Sequence, residues 1–179
     1  RLPPADGDQR PWLLVLDKDK HHQARHVTEY LEDANLSYAF LPPGSPFLNP
    51  IEDVFRGKRV LLVDDSVVRG STMRRIIRTL LNAGATEIHL AIFSPPVRHP
   101  CFYGIDMPTQ QELVAAGLDD EPLEATLKER FACDSVTYLS LGGLASVGET
   151  PMCSACFDGS YVVPVSADER QAIETDRRG

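Results

Sequence analysis

The sequence predicts an α/β fold: an open, mainly parallel twisted sheet with helices on both faces and an irregular, cysteine-containing segment near the C-terminus. Three observations carry this. "WLLVL" (12–16) and "VLLV" (60–63) are continuous apolar runs, each followed by Asp, the pattern of strands buried on both faces. Segments with apolar residues at helical spacing stand between the strands, and alternation of the two types is how a parallel sheet is wound. Gly, Pro and Ser mark the junctions.

Residues 1–11 carry three Pro and several charges and read as a loose arm. The first strand spans Trp12–Leu16 and ends at Asp17. His22–Asn35 follows as a helix, with Ala24, Val27, Tyr30, Leu31 and Ala34 on one side. Ser37–Leu41 is a second strand. Pro42–Pro50, "PPGSPFLNP", is a loop, because Pro at that density removes too many amide donors for helix or sheet. Arg59–Val63 is the clearest strand. Its helix runs from Ser71 to Ala83 with Ile76, Ile77, Leu80 and Leu81 on one face, and Gly84 stops it. Thr86–Ser94 is a strand, 95–108 an irregular Pro-rich stretch, and Thr109–Ala116 and Glu121–Phe131 are helical. Ser135–Leu139 is a strand and Leu141–Val147 a short helix. The organisation expected is an arm over 1–11, one domain over 12–163 and a charged tail over 164–179 that forms a terminal helix.

A chain of 179 residues, 42% hydrophobic and 25% charged, has the composition of a globular domain with a sizeable core. The net charge of −8 argues against nucleic acid or an anionic membrane as the main partner. No apolar run approaches the ~18 residues of a membrane span, and "RLPPADGDQRPW" lacks the apolar stretch of a secretory signal. A reducing, cytoplasmic setting is expected, in which Cys101, Cys133, Cys153 and Cys156 are thiols or metal ligands rather than disulfides.

The stretch "GKRVLLVDDSVVRGSTMRR" (57–75) carries the chemistry. Ligands of open parallel sheets bind beyond the carboxyl ends of the strands, where Asp64 and Asp65 fall. Ser66, Val67, Val68, Arg69, Gly70, Ser71 and Thr72 then link the strand to a helix N-terminus, whose amides and partial positive charge suit a phosphate. Gly70 permits a positive φ and close backbone approach, and Ser71 and Thr72 add hydroxyl donors. Ionised Asp64 and Asp65, acceptors only, suit vicinal hydroxyls or Mg²⁺. Phosphate at one end and hydroxyls at the other describe a ribose 5-phosphate. The plainer alternative is that the two Asp cap a helix that Ser71 and Thr72 merely begin.

"RVLLVDDSVVRGSTMRR" resembles the 5-phosphoribosyl-1-pyrophosphate signature of type I phosphoribosyltransferases. With "AGATEIHLAIFSPPVRHPCFYGIDMPTQQELVA", "DSVTYLSLGGL" and "CSACFDGSYVV", the region from about Asn49 to Val163 resembles the glutamine phosphoribosylpyrophosphate amidotransferases. The resemblance implies that Asp64 and Asp65 hold the ribose hydroxyls, directly or through Mg²⁺, as the catalytic carboxylates, and that Ser66–Thr72 wrap the 5-phosphate. It implies transfer of ribose 5-phosphate from phosphoribosylpyrophosphate to ammonia, in purine nucleotide biosynthesis, or to a related acceptor. A homo-oligomer is expected.

C-x-x-C at Cys153–Cys156 alone leaves zinc, a redox pair and plain thiols open. The resemblance implies that Cys101, Cys153 and Cys156 are three ligands of a [4Fe–4S] cluster whose fourth ligand is missing; Cys133, a non-cysteine group or another chain would complete it, with a vestigial or zinc site as rivals. Cys133 itself reads as a buried thiol. His99 reads as a packing residue, and His22 and His26 as a solvated face.

Three departures from the family pattern stand out. The 179 residues hold no counterpart of its glutaminase domain, and free ammonia or a separate glutaminase subunit is expected to serve. Its pyrophosphate loop is replaced by "VLDKDKHH", where Asp17 survives and Lys18 and Asp19 replace Ser and Gly. Lys18 is then either a cation for a phosphate group or part of a solvated turn. Its flexible catalytic loop gives way to "LPPGSPFLNP". The alternative function is accordingly a catalytically impaired module that binds or senses phosphoribosylpyrophosphate or a nucleotide.

Overall fold

A computed structural model describes residues 11–17, 25–34, 36–41, 52–118, 120–147 and 152–177. Five parallel strands form one sheet in the order β2-β1-β3-β4-β5: β1 Trp12–Asp17, β2 Tyr38–Leu41, β3 Arg59–Asp64, β4 Glu87–Ile92 and β5 Ser135–Tyr138. The helices are α1 Arg25–Asp33, α2 Glu52–Phe55, α3 Ser71–Asn82, α4 Asp120–Phe131, α5 Leu141–Val147, α6 Ala155–Asp158 and α7 Ala167–Asp176. The expected class and every expected strand are present. The loop foreseen over Pro42–Pro50 lies outside the described residues.

The central strands β1 and β3 are largely apolar because both of their faces are covered. Val15, Val60, Leu62, Ile88, Leu90 and Val136 form the main core with Met73, Ile77 and Leu80 of α3 and Leu123, Leu127 and Phe131 of α4. Leu16 and Val63 face the other way and meet Leu31 and Val27 of α1. The main core's largest side chains are essentially inaccessible, each supporting roughly 1.5–3 kcal/mol of burial.

Topology locates the functional edge. The chain passes from β1 outward to β2, then crosses back to β3 on the other side of β1. The winding reverses between β1 and β3, and that crevice is where ligands of such sheets bind. Val15 pairs with Leu62, so Asp17 and Asp64, two residues further along each strand, end at this same place.

One expected helix is not formed. Thr109–Ala116 contains only a 3₁₀ turn, Gln110–Glu112, followed by turns. Thr109 and Glu112 start it with a reciprocal capping box. The Val114 amide, which a continuing helix would give to Gln110, instead donates to the Val68 carbonyl at 2.8 Å. A tertiary hydrogen bond overrides the local propensity.

The C-terminal segment docks on the irregular stretch. The Tyr161 hydroxyl donates to the Pro100 carbonyl at 2.6 Å, and the Tyr103 hydroxyl both donates to the carbonyl and accepts from the amide of Val163, at 2.9 Å each. Arg177 Nη2 donates to the Cys101 carbonyl at 2.6 Å, and Arg170 lies over the Tyr161 ring at 4.7 Å.

Candidate phosphosugar site

β3 delivers Asp64 half-buried to its carboxyl end and Asp65, exposed, to the first position of the loop. Each carboxylate is tied locally: Asp64 Oδ1 accepts from the Asp65 amide at 3.0 Å, and Asp65 Oδ1 from the Ser66 amide at 2.8 Å. Val67 sinks into the core and anchors the loop, and Ser71 and Thr72 are exposed at the start of α3.

Gly70 caps α3 in the left-handed region, φ 73° and ψ −2°, with no side-chain cap. It is also buried: a Cβ there would stand 2.6 Å from Phe131 Cε1 and 3.3 Å from Val114 Cγ2. Only glycine satisfies both constraints. The first turn of α3 contains no acidic residue, so its amides, which lack intrahelical acceptors, and the helix dipole meet no competing carboxylate there.

A cavity of about 430 Å³ opens at this edge, lined by Asp64, by Ser66 to Met73, and by Asp106, Met107 and Pro108. Its size suits a small ligand. Of the residues expected to form the site, Asp64 and Ser66–Thr72 line one cavity together, and Asp65 adjoins it. Asp17 ends the neighbouring strand, and Lys18 lies outside the described residues. The wall formed by Asp106–Pro108 was not foreseen. Its signal, the "GIDMP" within the irregular stretch, has no periodicity and reaches the loop only through the fold. A larger hollow, about 510 Å³, is lined by one face of α7, with Asp168 and Asp176 and no cationic side chain.

Cys101, Cys153 and Cys156 converge elsewhere. The amides of Arg98 and His99 donate to the Cys156 carbonyl at 2.9 and 3.0 Å, joining the two stretches. Burial raises the Cys156 pKa, and Cys101 and Cys153 add to the effect. All are free thiols. Yet among the described residues no group of three or more His, Cys, Asp or Glu side chains is arranged to hold a metal ion, so the expected cluster ligands are neighbours without being a ligating set. Cys133 is a buried thiol, as expected, its pKa pushed up to about 11 by burial and then by Asp134. Burial lowers the His99 pKa, and its ring packs against Gly159. Among the described residues no helix is long and apolar enough to cross a membrane.

A family model described as DDE superfamily endonuclease matches residues 3–63, about a third of the sequence. The amidophosphoribosyltransferase of Synechocystis sp. is 52% identical over 121 residues, 66% of this chain and 24% of that protein. The Mycobacterium tuberculosis H37Rv amidophosphoribosyltransferase is 49% identical over 121 residues, 65% of this chain and 23% of its own length. Among solved structures, the B. subtilis glutamine phosphoribosylpyrophosphate amidotransferase complexed with ADP and GMP matches with a TM-score of 0.66 and 33% identity, covering 87% of this chain and 39% of that one. The chain thus spans about a quarter of the length of the curated relatives it matches. Over about two thirds of its length, then, it is related to one segment of the amidophosphoribosyltransferases, and its parallel sheet has the type I phosphoribosyltransferase fold.

Proposed function

We propose that the cavity at the carboxyl end of β3 binds the ribose 5-phosphate moiety of phosphoribosylpyrophosphate and that the chain transfers it to ammonia or a related acceptor in purine nucleotide biosynthesis. The observation that carries this is the loop itself: a left-handed, buried Gly70 at an uncapped helix N-terminus beside two strand-end carboxylates, around one cavity. In this reading the amides and hydroxyls of Ser66–Thr72 hold the 5-phosphate. Asp64 and Asp65 accept from the ribose hydroxyls and orient C1. The nitrogen lone pair attacks C1 as the C1–O bond breaks and pyrophosphate leaves with the bonding pair. An oxocarbenium-like transition state asks for positioning and charge stabilisation more than for a protein nucleophile.

Mg²⁺ fits the site, because two carboxylates at a strand end are hard oxygen donors at the rim of a phosphate cavity. Bound there by Asp64 and Asp65, it would neutralise charge on the diphosphate. The [4Fe–4S] cluster does not fit the thiols as they stand, and no step runs through it. Ammonia, free or from a separate glutaminase subunit, is the nitrogen donor; a cytoplasmic homo-oligomer is part of the proposal.

A second reading, a module that binds the phosphosugar without turnover, is favoured by "VLDKDKHH" and "LPPGSPFLNP", which stand where the family's pyrophosphate loop and flexible loop are expected. One experiment separates the readings: incubation with phosphoribosylpyrophosphate, Mg²⁺ and ammonium, following pyrophosphate release beside calorimetric binding. Release abolished by Asp65→Ala supports the transferase, and binding without release supports the module. Neither binding nor release refutes both.

A further inference from the structure

The loop that lines the phosphosugar cavity is fastened from behind at three consecutive residues, all onto 109–114 or the helix behind it. The Val68 carbonyl accepts from the Val114 amide at 2.8 Å. Arg69 Nη2 pairs with Glu112 Oε1 at 3.0 Å. Gly70 packs against Phe131 and Val114. The other oxygen of Glu112, Oε2, accepts from the Thr109 amide at 3.0 Å and the Thr109 hydroxyl at 2.9 Å, and Thr109 is only 2% exposed. Arg130 Nη1 donates to the Val114 carbonyl at 2.9 Å, and the Gln110 amide to Glu174 Oε1 of α7 at 3.0 Å, so the wall is itself held from two helices. One carboxylate therefore links a buried threonine to the arginine in the middle of the loop.

Peptide geometry gives this link a consequence. In a trans peptide the C=O and the N–H point in opposite directions, and no cis bond is present among the described residues. The Val68 carbonyl is fixed toward Val114, so the Arg69 N–H of the same plane points away from that wall. Val68 and Arg69 line the cavity and Glu112 and Val114 do not, the arrangement expected when that N–H faces the cavity. The Arg69 side chain, turned to Glu112, resists rotation of this plane.

Resting on the reading of the cavity as a phosphosugar site, we propose that Glu112 is a positioning residue for phosphate binding: by holding the Arg69 guanidinium against the Thr109-anchored wall, it keeps the 68–69 peptide oriented with its N–H toward the ligand's phosphate. Arg69 acts through its backbone amide and is tethered by its side chain. Both partners of the pair are about half exposed, so the effect is modest.

The test is calorimetric affinity for ribose 5-phosphate in Glu112→Gln, which keeps an oxygen for Thr109 but loses the ion pair, and in Arg69→Gln, which approaches the same pair from the other side. Each should weaken ribose 5-phosphate roughly two- to five-fold while the ligand-free thermal midpoint stays near that of the parent. The double variant should lose no more than the weaker-binding single, and Arg69→Lys, which keeps a charge for Glu112, should retain most of the affinity. Parent-like affinity in both single variants overturns the proposal, as do additive losses or an equal loss in Arg69→Lys. If the parent chain itself fails to bind ribose 5-phosphate, the reading of the cavity falls and this proposal with it, and that outcome is visible before any substitution is made.

Discussion

Replacing Gly70 by Ala tests the geometry of the site most directly, because two separate costs meet there. An L side chain at φ 73° costs roughly 1–2 kcal/mol. The new Cβ would also stand 2.6 Å from Phe131 Cε1 and 3.0 Å from its Cζ. Phe131 is 2% exposed and hemmed by the core, so its ring cannot swing into solvent, and overpacking of this kind adds roughly 1–3 kcal/mol. The expected loss is thus roughly 2–5 kcal/mol out of a total of about 5–15 for a domain of this kind. Gly57 supplies the control: its φ is 70°, yet a Cβ there meets nothing within 4 Å. Gly57→Ala should cost the backbone component alone. Equilibrium urea unfolding, compared at a common m-value, reads both, and Phe131→Leu in the Gly70→Ala background should return part of the difference. Equal destabilisation by the two glycine substitutions would refute the claim that Phe131 and Gly70 are in contact.

Four further outcomes are expected. Cys133, its pKa pushed up to about 11 by burial, should alkylate with iodoacetamide far more slowly than exposed Cys153 in the native protein, a rank order that mass spectrometry reads. Because the folded state keeps the Cys133 proton after the unfolded chain has lost it, this group should lower stability as pH rises from about 9 to 11, by up to about 3 kcal/mol; a flat profile there would count against its burial. Glu87→Ala removes a partner 2.9 Å from Arg59, whose side chain is 4% exposed, and should cost about 2–3 kcal/mol, whereas Glu29→Ala, breaking an exposed i,i+4 pair with Arg25, should cost at most about 0.5; similar values by urea unfolding would contradict the burial contrast. Tyr103→Phe deletes both hydrogen bonds to Val163 and should cost about 1 kcal/mol and raise hydrogen exchange at the Val163 amide, and unchanged protection would show that the C-terminal segment is held without it.

Much of the architecture was readable before any coordinates because the signals are local. A strand covered on both faces is apolar along most of its length, which is why the runs "WLLVL" and "VLLV" announce β1 and β3. The turn from Asp64 to Thr72 was equally legible, since a left-handed entry into a helix requires glycine and the adjoining hydroxyls and carboxylates define the ligand chemistry it suits. Where the reading failed, a distant residue intervened. Thr109–Ala116 has helical spacing, but Val114 gives its amide to Val68, forty-six residues earlier, and the helix stops after one turn. Asp106–Pro108 carries no pattern that marks it as a cavity wall, and Glu112 looks like a surface carboxylate until Arg69 and Thr109 are seen on either side of it.

The amino-acid order alone determined the parallel α/β class, the place of the Asp64–Thr72 loop and the ligand chemistry its groups suit, because hydrophobic period, glycine freedom and side-chain charge act within a few residues of chain. Tertiary structure decided that the winding reverses between β1 and β3, that Gly70 is locked by Phe131 as well as by its φ, and that Cys101 meets Cys153 and Cys156 without forming a ligating set. Those are contacts between segments far apart in sequence, and they exist only once burial of the common core has brought the segments together.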